Sequence, residues 1–100
     1  MPDLFGANVD LPETPEHYAN TAKFAFGPYD FILEFGLQGV PDAPGSERPP
    51  VRNLARIRLS PQHALVVAKL FLRNVRQYEA QFGKINLPPR LLQDLGLDAE

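Results

Sequence analysis

Ser60 and His63, three positions apart, are the nearest this chain comes to a nucleophile beside a base. A serine hydroxyl attacks a substrate only when a neighbouring imidazole takes its proton and a third group holds that imidazole in the right tautomer. Neither an orienting carboxylate nor the G-x-S-x-G turn that presents such a serine accompanies the pair. Ser60 is expected instead to cap a helix, with His63 an ordinary side chain in its first turn. Acid–base chemistry would require two carboxylates in one cleft with their proton affinities pushed apart. Asp30, Glu34 and Glu79 are the carboxylates closest to hydrophobic segments. Asp30 falls at a turn, where it is expected to cap. Glu34 falls on the polar side of a strand, where Lys23 or an arginine of a neighbouring strand would stand across from it. No catalytic residue is assigned, and the protein is expected not to be an enzyme.

Metal and cofactor chemistry finds equally little to work with. There is no cysteine, so the chain has no disulfide, thiolate ligand or cysteine nucleophile, and its two histidines, His17 and His63, are far apart in sequence. No metal site and no cofactor are expected. Gly36, Gly39 and Gly45 lack both the G-x-G-x-x-G spacing and the Gly-Lys-Ser/Thr of a phosphate cradle, so their segment reads as a loop. One basic row remains: Arg52, Arg56 and Arg58 alternate along a strand, with Lys23 a candidate neighbour. A sheet face reading nucleic acid would use such a row. Ten basic against twelve acidic residues, a formal net charge of −2, supply no broader field for a polyanion or an anionic membrane.

The elements that hold these residues follow from pattern and punctuation. One hundred residues with 44% hydrophobic and 22% charged content describe a single globular domain with a small core, one that gains from a partner subunit. Residues 1–17 hold three prolines, four acidic residues and no apolar period, and are expected to form a disordered or extended arm. Alternation from Tyr18 to Phe26 predicts a first strand over 18–26, and Gly27-Pro28-Tyr29-Asp30 predicts a turn. A second strand over 30–36 would put Phe31, Leu33 and Phe35 on one face. The three glycines and four prolines of 36–50 break any regular element and predict a long adaptable loop. A third strand over 51–59 would direct Ala55, Ile57 and Leu59 one way and Arg52, Arg56 and Arg58 the other, with Leu54 the odd apolar residue on the basic side.

Ser60-Pro61 is a helix start, because serine caps the first amides and proline has a helical φ already set. No glycine or proline interrupts the chain until Gly83, which predicts one helix over 61–82. Ala64, Ala68, Phe71, Val75, Tyr78 and Phe82 form one stripe of it, yet Leu65, Val66, Leu70 and Leu72 lie off that stripe and are apolar too. A small sheet covers one side of a helix, so Leu65, Val66, Leu70 and Leu72 are the candidate interface with a second copy. A short helical turn over 89–95 within a tail at 88–100 completes the chain. The expected class is α+β, a three-stranded antiparallel sheet followed by one long helix, with 18–87 as a single domain. The first ten residues show neither a basic leader nor an apolar run, and no window approaches the ~20 apolar residues of a membrane span, so a cytoplasmic location is expected.

Three stretches, Tyr18–Gly36 (YANTAKFAFGPYDFILEFG), Arg56–Ala64 (RIRLSPQHA) and Tyr78–Ile85 (YEAQFGKI), resemble a family of small prokaryotic proteins known as the domain of unknown function number three-four-six-seven. The most specific parts are Tyr29-Asp30-Phe31 with Phe35-Gly36, the helix entry Leu59 to Ala64, and Tyr78-Glu79 with Phe82-Gly83. The resemblance implies a prokaryotic protein and supports the boundaries from 18 to 85, and it brings no activity, ligand or catalytic residue. Strands followed by one assembling helix are also similar in outline to SecB-type export chaperones, a fold with four strands where three are counted here. The function expected from all of this is non-enzymatic: a homo-oligomer, dimer or tetramer, that binds a macromolecular partner, in the first instance a protein. Nucleic-acid binding through Arg52, Arg56, Arg58 and Lys23 is the alternative, and a SecB-like holdase a further one.

Overall fold

The computed structural model describes residues 11–97. The expected arm at 1–17 therefore lies mostly outside the described residues, and so does the end of the expected tail. The chain divides into two units, Met1–Leu59 and Ser60–Glu100.

The first unit holds three strands, β1 (Thr21–Phe26), β2 (Phe31–Leu37) and β3 (Arg52–Leu59), joined in the antiparallel order β1-β2-β3. Gly27-Pro28-Tyr29-Asp30 makes the expected turn, closed by a 2.9 Å bond from the Gly27 N–H to the Asp30 carbonyl. From it the β1–β2 register runs without interruption from Phe26↔Phe31 to Thr21↔Gly36. Residues opposite each other share a face. One face therefore gathers Phe24, Phe26, Phe31, Leu33 and Phe35 with Ile57 and Leu59, and the other gathers Lys23, Glu34 and Arg56 with Ile32 and Arg58. Phe24 meets Phe35 edge to face at 6.4 Å between ring centres, and Phe26 lies 5.7 Å from Phe31.

β1 begins at Thr21 rather than at Tyr18, and the reason is a side-chain pairing across the sheet. The Asn20 side chain does the work of a ladder residue: its amide nitrogen donates to the Gln38 carbonyl (3.0 Å), and its amide oxygen accepts from the Gln38 N–H (2.9 Å). Side-chain bonds of this kind compete with the backbone ladder and end it. Gln38 also ties the long loop at its root, donating to the Pro49 carbonyl at 3.0 Å while its side-chain oxygen accepts from Arg48 at 3.3 Å. The loop is thus anchored at its base, and within it Gly45 takes a positive φ of 86° beside a turn in which Ser46 bonds Ala43.

β2 pairs with β3 in regular register from Phe31↔Leu59 to Phe35↔Ala55, and then slips: Gly36 pairs with Asn53 and Leu37 with Arg52. Two residues of β3 span the step between Phe35 and Gly36, so Leu54 is the extra residue of a β-bulge. Gly36 is the one buried residue of the sheet. A Cβ there would stand 2.7 Å from Val51 Cγ1, 2.9 Å from the Arg52 carbonyl and 2.9 Å from Thr21 Oγ1, so only glycine leaves room for the bulged strand to close over it.

The second unit is a 22-residue helix, α1 (Pro61–Phe82), followed by the four-residue α2 (Leu91–Asp94). Ser60 caps α1 as its sequence predicts: it is extended, its hydroxyl accepts from the His63 N–H at 3.2 Å, and Pro61 follows. At the other end the Gly83 N–H reaches the Glu79 carbonyl at 2.9 Å, with φ 106°. That φ favours glycine, as expected, although the chain leaves in extended form with ψ 165°. The Glu79 carboxylate holds the outgoing chain by accepting from the Ile85 N–H at 3.0 Å. Neither end of α1 carries a charge complementary to the helix dipole, so caps alone satisfy its termini.

Candidate interaction surfaces

Four of the side chains weighed for chemistry are held by something structural. Ser60 presents its oxygen to a backbone N–H, Asp30 binds Arg58, Glu34 binds Arg56 and Glu79 binds the backbone after α1. Asp30, expected to cap its turn, instead uses its carboxylate across the sheet. Among the described residues no group of three or more metal-ligating side chains converges.

The arginine row is split by the bulge. Arg56 and Arg58 lie on the Lys23–Glu34 face as the alternation predicts, but the slip puts Arg52 opposite Leu37, on the face of Phe31, Leu33 and Phe35. Val51 takes the place on the polar face that Arg52 would have had, its methyl beside the missing Cβ of Gly36. An extra residue in a strand reverses the side of everything beyond it. The sequence did carry a sign of this, since Leu54, the apolar residue out of step, is the bulge itself.

The arginines that remain together are engaged. Arg56 Nε donates to Glu34 Oε2 at 2.7 Å, and Arg58 Nη1 meets Asp30 Oδ2 at 3.1 Å. Lys23 stands opposite Glu34 in register, but it is Arg56 that holds the carboxylate. Three cations and two carboxylates leave this face with one positive charge to spare. A phosphate backbone would have to displace or share ion pairs already made, and that reduces the counterion release such binding depends on.

The apolar surfaces of the two units are the opposite case. Among the described residues no hydrophobic side chain is buried. In the sheet Phe24 is 67% and Phe26 78% exposed, while on α1 Leu65 is 59%, Phe71 69% and Phe82 68% exposed. At about 100° per residue, Leu65 and Leu72 fall on one flank of the Phe71–Val75–Tyr78–Phe82 stripe, Leu70 falls on the other, and Val66 lies beyond Leu70, nearly opposite the stripe. The four expected interface residues are therefore spread around α1, with Leu65 and Leu72 on one side and Leu70 and Val66 on the other. Phe71, Asn74, Val75, Tyr78 and Ile85 line a shallow groove within this unit, with the Tyr78 and Phe82 rings 5.1 Å apart beside it. Among the described residues no helix is long and apolar enough to cross a membrane.

No curated protein and no solved structure matches the chain. A family model does match, over residues 2–87, and covers the sheet, the anchored loop, α1 and the Glu79–Ile85 exit. The chain therefore belongs to the family described as "Protein of unknown function (DUF3467)", the one its strand, helix-entry and helix-exit motifs resemble.

Proposed function

We propose that this protein is a non-enzymatic assembly module: copies of the chain associate through the apolar surface of α1, and the assembled particle binds a macromolecular partner, in the first instance a protein. The observation that carries this reading is the lack of any buried hydrophobic side chain among the described residues of a chain rich in phenylalanine and leucine. Burying a leucine or phenylalanine contributes about 1.5–3 kcal/mol, and this gain is what offsets the conformational entropy of ordering the chain. A chain that leaves Phe24, Phe26, Leu65, Phe71 and Phe82 mostly in water forgoes most of it, and a second copy is the partner always present at equal concentration. The engagement of Ser60, Asp30, Glu34 and Glu79 in a cap, two ion pairs and a bond at the helix exit supports the non-enzymatic reading. The same commitment of Arg56 and Arg58 counts against nucleic acid as the partner.

The test is molar mass by light scattering for the wild type and for Leu65→Asp/Leu70→Asp. The wild type is expected as a multimer and the variant as a folded monomer, with a dissociation constant raised at least about 100-fold if each leucine is worth roughly 1.5–3 kcal/mol. A monomeric wild type overturns the proposal, and the groove beside Tyr78 then becomes the surface to probe with unfolded clients.

A further inference from the structure

The two outer strands of the sheet are built differently. Bonding alternates along an antiparallel pair. Because the Gly27–Asp30 pair is bonded at the turn, Ala25, Lys23 and Thr21 turn their N–H and C=O groups toward β2. Ala22, Phe24 and Phe26 then turn theirs outward, and among the described residues no backbone bond meets them. The same alternation turns the backbone of Arg56 and Arg58 outward from β3. Natural sheets protect an edge with bulges and charged side chains. β3 has both, the bulge at Leu54 and the arginines. β1 has neither a bulge nor a proline, and its single charge is Lys23.

We propose that β1 is a second assembly surface, on which β1 of another copy pairs antiparallel, about a two-fold axis at Phe24, to make one continuous six-stranded sheet. The proposal rests on the assembly reading above and adds to it which edge is used and in what register. A two-fold axis at Phe24 sets Phe24 opposite its own symmetry mate and Ala22 opposite Phe26. These are the residues with outward backbone groups, so bonded pairs form with no change to the β1–β2 hairpin. The same register sets Lys23 opposite Ala25. Centring one residue earlier would set Lys23 against Lys23, like charges directly across strands, which is unfavourable. The pairing also runs the two apolar faces together, with Phe24 and Phe26 of both copies on one face, and so covers part of the most exposed aromatic surface of the sheet. A second copy is the natural occupant because it is the strand whose residues satisfy this symmetry.

The chain has no cysteine, so one introduced thiol can pair only with that of another copy. Opposed residues in a bonded antiparallel pair stand ~5.5 Å apart at Cα, within the ~4.4–6.8 Å a disulfide spans. Phe24→Cys is expected to give a covalent dimer under mild oxidation, and Arg56→Cys on the protected edge to remain uncrosslinked. Should the Phe24 substitution disturb folding, Ala22→Pro removes only an outward donor. It is expected to lower the solution mass of an otherwise wild-type protein by about half if two-fold pairing at β1 joins the copies. A multimeric protein in which Phe24→Cys gives no covalent dimer and Ala22→Pro leaves the mass unchanged overturns the β1 proposal and leaves assembly through α1 standing. A monomeric wild type overturns both.

Discussion

The two faces of the sheet contain the same three strands and finish their interactions differently. On the polar face Glu34 meets Arg56, Asp30 meets Arg58, and Val51 and Thr21 close over Gly36. On the apolar face the phenylalanines touch each other across strands, and those of β1, Phe24 and Phe26, are left largely in water. Helix α1 repeats the division, with ends satisfied by Ser60, Gly83 and Glu79 and sides that carry exposed Leu65, Phe71 and Phe82. Hydrogen bonds and ion pairs are short-ranged and pairwise, so residues close in register complete them within one chain. Hydrophobic stabilisation scales with area removed from water, and a sheet of three strands or a single helix offers one side of such an interface. What the chain completes within itself is therefore polar, and what it leaves exposed is apolar.

Substitutions on either side measure this division. Leu33→Asp, in the middle of the apolar face between Phe24 and Ile57, is expected to have the largest effect, about 2–4 kcal/mol, from lost burial and an unpaired carboxylate among aromatic rings. Urea unfolding followed by circular dichroism reads it, and a loss no larger than that of the ion-pair variant below would break the comparison. Gly36→Ala probes the one tightly packed place on the polar face. With Val51 and the Arg52 carbonyl within 3 Å of the added methyl, it is expected to cost about 1–3 kcal/mol in the same experiment. Ser60→Ala removes the α1 cap and is expected to lower stability by about 1 kcal/mol, seen as a reduced Tm, with no change in molar mass if the caps serve the chain alone. Glu34→Gln is expected to matter least. The partner Arg56 side chain is 58% exposed, so the pair is worth ~0.2–1 kcal/mol, and that difference should vanish in high salt.

Much of the fold was legible along the chain. Pro61–Phe82 has the bounds expected from Ser60-Pro61 and Gly83, because caps and breakers act within a few residues. The strands were legible from alternation and the 27–30 turn, and the family from motifs at the sheet, the helix entry and the helix exit. The start of β1 was not, since Asn20 ends the ladder by bonding Gln38, a partner eighteen positions away. The candidate basic face was legible only in part. Alternation placed Arg56 and Arg58 correctly, and it could not place Arg52, because the residue that reverses it is extra only relative to β2.

Composition, caps, turn residues and apolar periodicity determined the element types, their order and the surplus of hydrophobic surface, all of which are properties of neighbouring residues. The tertiary structure decided the register. It chose Arg56 over Lys23 for Glu34, gave Asp30 to Arg58, closed Val51 over Gly36 and left β1 as the unprotected edge. Each of these depends on which residues of separate strands come level with one another, a quantity fixed by the bulge and the turn together and by no single stretch of chain.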